Sequence, residues 1–343
     1  MRFTFAAWAV SRGLIVVAFL AASKHPLAGA GNWDGAWYGS IALHGYGYAH
    51  HGGQSDIAFF PLFPMLSSLL VRTGIGWPPA GVVVNNVAFF AGLFVLYAFA
   101  RERWSATTAR WCVAVACALP LSLFASVAYR EGLYILSSAL ALWWTLRAKY
   151  LAGALAAAAA TATAVTGLAL AAALIADAIV RRRGARGVAV ATLSLLGIIA
   201  FAAFCFVRFG DPVAFAHAQS GWRNAGFDAA AWLRVIESLR TWDGFLRNVM
   251  VVVLVPVAVI AIALQHRTLG SLLTVYGVLA LALILFAGEP ISADRIAYAV
   301  LPVLIAYGRA LQRVPVAGVA LLTASLALLT YDAVQFARFH WVA

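Results

Sequence analysis

The sequence predicts an all-α polytopic membrane protein with about eleven spanning helices, and three observations predict it. Of its 343 residues, 64% are hydrophobic and only 10% are charged, where a soluble domain carries roughly 25% charged residues. Such a chain cannot cover its surface with polar groups, so lipid is the solvent for most of it. The apolar residues form runs close to the length of a membrane crossing, and the basic residues sit in short clusters between them. That clustering accounts for the net charge of +12 without nucleic acid as a partner.

Arg2 followed by an apolar run resembles a signal sequence, but no small-residue cleavage site leads into a soluble domain, so it reads as a retained first helix. The spans fall at approximately 8–27, 79–100, 109–128, 131–148, 150–166, 167–180, 187–207, 248–265, 269–287, 295–312 and 316–334. The pair meeting at Thr166-Gly167 is alanine-rich, which suits either two short helices with a tight turn or one long broken helix. Segment 57–71 is apolar but short and punctuated by prolines, and reads as an interfacial or re-entrant helix. Cys112, Cys117 and Cys205 lie inside apolar runs and read as small buried hydrophobes. The whole chain, 1–343, reads as one membrane domain with two long loops, 28–78 and 208–247.

Charge orients the chain. If 57–71 does not cross, the clusters Arg101/Arg103/Arg110, Arg147/Lys149, Arg181/Arg182/Arg183/Arg186, His266/Arg267 and Arg309/Arg313 share one side. Short basic loops stay in the cytoplasm, which puts the N-terminus inside. Ten of the twelve acids then gather at or beyond the outer face, leaving only Glu102 and Asp177 inside. The topology rule does not constrain carboxylates, so that face is where chemistry is expected.

The stretch Gly31-Asn32-Trp33-Asp34-Gly35-Ala36-Trp37-Tyr38 follows the first span and is polar, aromatic and glycine-rich. Asp34 fits a turn, because Asp-Gly pairs turn readily, or a general base held near the membrane surface. Trp37, Tyr38, Tyr46 and Tyr48 serve equally as interface anchors or as a platform for sugar rings. His44 fits a hydrogen-bonding role or a solvated one, and His50 and His51 read as solvated. The run Phe59-Phe60-Pro61-Leu62-Phe63-Pro64 reads as a stiff helix start or the wall of a lipid groove. Arg130 beside Glu131 reads as an ion pair or as functional, since ionisable groups at membrane depth are costly. Arg295 suits a phosphate, and equally an ion pair with Asp294 or Glu289. The loop 208–247 carries Asp211, Gln219 and Trp222-Arg223, then apolar positions at 232, 233, 236, 239 and 242 spaced as in one amphipathic helix over 228–247. The chain has no Walker loop, no G-x-G-x-x-G and no metal-ligand spacing, so neither a cofactor nor a metal is expected.

These residues resemble a family. Trp33-Asp34-Gly35, His44-Gly45-Tyr46 and Phe59-Phe60-Pro61-x-Phe63-Pro64 look like the opening signature of the GPI mannosyltransferase II (PIG-V-like) family of GT-C glycosyltransferases. Asn85-Asn86, Pro120 with Tyr129-x-Glu131, Phe209-Gly210-Asp211-Pro212 with Gln219 and Trp222, and Asp294-Arg295 with Leu301-Pro302 continue the likeness along most of the chain, in the manner of bacterial members.

The resemblance implies a GT-C fold in the inner membrane and an active site facing the periplasm. It implies transfer of mannose, with inversion, from a polyprenyl-phosphate donor to a lipid-linked or other membrane-presented acceptor. No segment outside the membrane is long enough for a nucleotide-sugar domain, which agrees with a lipid-linked donor. Asp34 takes the family's catalytic position. Trp33, Trp37, Tyr38, His44, Tyr46, Arg130, Glu131, Gln219 and Arg295 are the candidate donor- and substrate-binding residues. Two positions depart from the family. Ala164 stands where an Arg is common, and Arg130 stands where Ser or Thr is usual, so Arg130 is a candidate replacement for the missing charge. Two other readings remain open: a flippase of lipid-linked sugars, and a non-catalytic subunit bound to a membrane protein partner.

Overall fold

The computed structural model describes residues 1–48, 53–221, 227–286, 290 and 292–342, and these fold as helices with no strand among them. In chain order the main elements are α1 (Arg2–Ala22), α2 (Asp34–His44), α3 (Leu62–Arg72), α4 (Pro79–Arg103) and α5 (Ala106–Ala118). Next come α6 (Glu131–Leu146), α7 (Tyr150–Thr161), α8 (Gly167–Val180), α9 (Gly184–Phe209) and α10 (Ala229–Ser238). The last are α11 (Trp242–Leu269), α12 (Ser271–Leu285), α13 (Ala293–Ala299), α14 (Leu301–Leu311) and α15 (Pro315–Ala337). Five of them, α1, α4, α9, α11 and α15, are long and apolar enough to cross a membrane. The protein is an integral membrane protein of all-α architecture.

Three expected spans and one expected amphipathic helix differ from the structure. The first helix covers Arg2–Ala22 rather than 8–27. The span at 109–128 stops at Ala118, because Leu119 precedes Pro120 and is driven to an extended conformation. A short 3-10 helix, Pro120–Ala125, and an irregular stretch complete that segment. The span at 295–312 is cut at Val300, since the Pro302 ring would collide with the Tyr298 carbonyl in a continuous helix. The single amphipathic helix expected over 228–247 ends at Ser238, and Trp242 instead opens the long α11. With α6, α7, α8 and α12 each under 18 residues, the structure does not reproduce eleven full-length spans.

The unwound stretch after α5 is held by side chains. Two N–H bonds of Asn85 reach the carbonyls of Phe124 and Val127 at 2.7 Å each, and its Oδ1 accepts from Gly132 at 2.8 Å. Asn86 donates to the Ser126 carbonyl at 2.7 Å. Buried backbone outside a helix needs such partners at membrane depth. Gly132 permits the approach, because a Cβ there would lie 2.4 Å from the Asn85 carbonyl oxygen. Asn85→Leu is expected to cost about 3 kcal/mol or more, at about 1–3 kcal/mol for each buried group left unpaired. A melting curve in detergent checks it, and a variant melting with the wild type refutes it.

α7 and α8 resolve the alanine-rich region as two short helices joined through residues 162–166. At a rise of about 1.5 Å per residue neither reaches across a hydrocarbon core of about 30 Å. Their turn is capped from above, where the Leu62 N–H at the start of α3 donates to the Ala162 carbonyl at 2.9 Å. α3 itself, at 11 residues, is too short to cross, as expected for an interfacial helix.

Candidate active site

The site is assembled at the end of the bundle where α2 begins. Trp33 precedes it with φ 56 and ψ −121, a conformation costly for a residue bearing a side chain. Its indole is held by stacking on Phe339 at 4.7 Å and by the edge of Trp341 at 5.4 Å. The next residue, Asp34, opens α2, where the partial positive charge of the helix start favours a carboxylate. The Asp34 N–H donates to the Tyr129 hydroxyl at 3.1 Å, and that hydroxyl donates to the Asn32 carbonyl at 3.1 Å. Asn32 in turn donates to the Phe336 carbonyl at 2.9 Å.

Arg295, from α13, reaches Asp34. Its Nη2 donates to Asp34 Oδ2 at 2.7 Å, and its Nε lies 3.5 Å from Glu131 Oε1. The side chains of Arg295 and Glu131 are 6% and 4% exposed, whereas Asp34 keeps 19% and is the open member. The guanidinium lies against the rings of Phe124 and Tyr129 at 5.1 Å each and of Trp341 at 5.7 Å. Asp294 does not pair with the Arg295 side chain; its Oδ1 accepts the Arg295 backbone N–H at 2.8 Å. Glu289, the other expected partner, lies outside the described residues, as do His50, His51, Trp222 and Arg223. Arg295 Nη1, Glu131 Oε2 and Asp294 Oδ2 are buried with no hydrogen-bond partner among the described residues.

Of the other candidates, Tyr38 comes nearest. It is buried one turn along α2, packs on Phe59, Phe63 and Tyr129, and lies within the field of Arg130, Glu131, Asp34 and Arg295. Burial pushes its phenol up from the ordinary tyrosine range. Arg130 donates to the Thr163 carbonyl at 3.2 Å. Trp37 stacks on Phe59, and Tyr46 donates to the Phe59 carbonyl at 2.7 Å, so both serve the wall that the Phe-Pro run builds. His44 is exposed at the far end of α2, about 15 Å along the helix from Asp34. Gln219 donates to the Ala58 carbonyl at 3.1 Å and ties the two long loops together. Among the described residues no cluster of three His, Cys, Asp or Glu side chains forms a metal site.

A second tie between those loops depends on pH. Asp211 Oδ2 accepts from the Tyr48 hydroxyl at 3.1 Å and lies 2.8 Å from His217 Nδ1. The bond to His217 is the largest influence and holds the Asp211 carboxyl below the usual range. A depressed carboxyl stabilises the fold above its unfolded value of about 3.9 and loses that contribution as pH falls toward the folded one. Amide protection around 46–48 and 211–217, taken relative to the intrinsic exchange rate at each pH, is therefore expected to hold at pH 5 and to fall as pH drops below about 4. Asp211→Asn removes that dependence.

Sequence reasoning misses the support of this site. It groups Tyr129 with Arg130 and Glu131 but assigns it no role, and it passes over Asn32, Phe339 and Trp341. It also misses Arg12, buried midway along α1 over the Phe89 ring at 4.9 Å and donating to Ser122 Oγ at 2.9 Å. A lone Arg in an apolar run is the available signal.

No family model and no curated protein matches this sequence. Solved structures do match its fold. ArnT from Cupriavidus metallidurans bound to undecaprenyl phosphate superposes with a TM-score of 0.59 at 15% identity, covering 90% of this chain and 60% of that one. The same protein in the apo state gives a TM-score of 0.57 at 15% identity, covering 90% and 59%. The chain thus spans about 60% of the length of these neighbours. What they share is the GT-C membrane fold expected from the sequence.

Proposed function

We propose that the protein is a membrane glycosyltransferase that moves mannose from a polyprenyl-phosphate carrier to a membrane-presented acceptor. The observation that carries this reading is the meeting of Asp34, Arg295 and Glu131, with Asp34 and Arg295 261 residues apart in the chain. The fold is shared with a protein crystallised with undecaprenyl phosphate.

The acceptor hydroxyl gives its proton to Asp34, the open carboxylate of the cluster. Its oxygen bonds to the anomeric carbon from the face opposite the carrier, and the bond from that carbon to the phosphate oxygen breaks. Configuration inverts, and the polyprenyl phosphate leaves with the bonding electrons. Arg295 Nη1, a buried donor without a partner among the described residues, stabilises the leaving phosphate. A phosphate leaves without a general acid, so one carboxylate suffices. With the basic clusters in the cytoplasm, the N-terminus lies inside and the site opens on the outer face of the inner membrane.

The test is transfer of labelled mannose by purified protein in detergent, from polyprenyl-phosphate mannose to extracted membrane lipids. A flippase reading draws on Arg12, whose Nε and Nη1 are buried at mid-helix with no partner among the described residues. Protein that transfers nothing yet moves the lipid-linked sugar across reconstituted vesicles establishes that reading and overturns ours.

A further inference from the structure

Beside the Asp34 cluster lies a recess roughly the size of one water molecule. Arg130 just before α6, Glu131 and Tyr134 of α6, Ala164 and Thr166 of the α7–α8 turn, and Ile296 of α13 line it. Glu131 is 3% exposed, and its Oε2 is buried with no hydrogen-bond partner among the described residues. A buried acceptor of this kind calls for a group that donates a hydrogen bond. The Tyr134 hydroxyl is engaged 2.8 Å from that of Tyr276, which closes the inner side of the recess with a fixed polar group.

Charge then selects the group. Arg295 lies 3.5 Å from Glu131 Oε1 and is shared with Asp34, and Arg130 lines the same recess while its Nη1 donates to the Thr163 carbonyl, so two guanidinium groups border the Glu131 carboxylate. A hydroxyl entering there donates to Glu131 and accepts from Arg130. An ammonium would satisfy Glu131 but would be desolvated against two fixed positive charges. We infer that the recess is a sugar-hydroxyl subsite that seats one hydroxyl of a neutral donor sugar and rejects an amino sugar at that position. The inference rests on the transferase reading and adds how one hydroxyl of that sugar is recognised. Arg130 thereby becomes the specificity-determining residue, and its charge, not its shape, discriminates.

The experiment compares two donors on the same polyprenyl phosphate, mannose and mannose with one hydroxyl replaced by an ammonium, taking each position of the ring in turn. Wild-type protein is expected to favour the neutral donor about 100-fold in kcat/KM at one ring position. Arg130→Gln is expected to narrow that preference about tenfold, and Arg130→Lys to keep it, which separates charge from folding. Equal use of all donors by the wild type overturns the subsite, as does an unchanged preference in Arg130→Gln. Binding of the same lipids is measured in parallel by quenching of tryptophan fluorescence. A wild type that transfers neither sugar but binds the neutral lipid more tightly sinks the transferase reading and keeps the subsite. Equal binding without transfer sinks both.

Discussion

Asp34→Asn is expected to lower sugar transfer by about 10²–10⁴-fold, the contribution of a positioned general base. Asparagine has the shape of aspartate, and its side-chain oxygen can still accept from Arg295 at the position of Asp34 Oδ2. The backbone bond from residue 34 to Tyr129 and the stack of Trp33 on Phe339 do not depend on the carboxylate. What the variant lacks is the basic oxygen that, on the proposed function, takes the acceptor proton. Its melting temperature should stay within a few degrees of wild type, because Glu131 remains to face Arg295. The measurement is kcat with polyprenyl-phosphate mannose, alongside a melting curve. Wild-type turnover in a normally folded Asp34→Asn protein would remove Asp34 from the chemistry.

Arg295→Met should damage both stability and transfer. Among the described residues Arg295 is the cation paired with both Asp34 and Glu131, and it also lies against the rings of Phe124, Tyr129 and Trp341. Removing one partner of a buried ion pair costs about 3–5 kcal/mol, because the other charge stays buried without compensation. Here the stranded group is Glu131, whose Oε2 already lacks a partner among the described residues. Arg295→Lys is expected to recover little. A lysine is a point charge that cannot address two carboxylates from a planar fork while stacking on aromatic faces. Thermal melts in detergent and transfer assays read the two losses separately. An Arg295→Met protein that melts with the wild type would show that the cluster is not held together by this residue.

The membrane architecture is legible in the sequence because low charge and long apolar runs have few other physical solutions. The first loop stands out for the same reason: Trp33-Asp34-Gly35 is polar and aromatic in an apolar chain. Glu131 and Arg295 are visible as ionisable groups at helix ends, but their partners are not. Nothing local in Asp294-Arg295 tells that the guanidinium passes its neighbour to reach residue 34. Tyr129, Phe339 and Trp341 are hidden because aromatic residues at a membrane boundary are common, and only the fold shows that Phe124, Tyr129 and Trp341 enclose one guanidinium. Helix ends are misjudged at Pro120 and Pro302, where hydropathy runs on but the proline ring cannot. Asn85-Asn86 looks like a pair of isolated polar residues in a span, and their purpose emerges only once the unwound backbone beside them is seen.

The short α7–α8 hairpin carries a consequence for the surrounding lipid. Leu151, Leu155 and Val165 are exposed along it, so acyl chains meet the hairpin directly. Helices of 12 and 14 residues rise only about 18 and 21 Å. Hydrophobic mismatch of that size draws headgroups inward and compresses the leaflet. The bilayer is expected to be thinner beside this hairpin, whose turn meets Arg130 through the Thr163 carbonyl. On the proposed function, a carrier phosphate on a long isoprenoid tail would approach there without leaving the depth its own headgroup prefers.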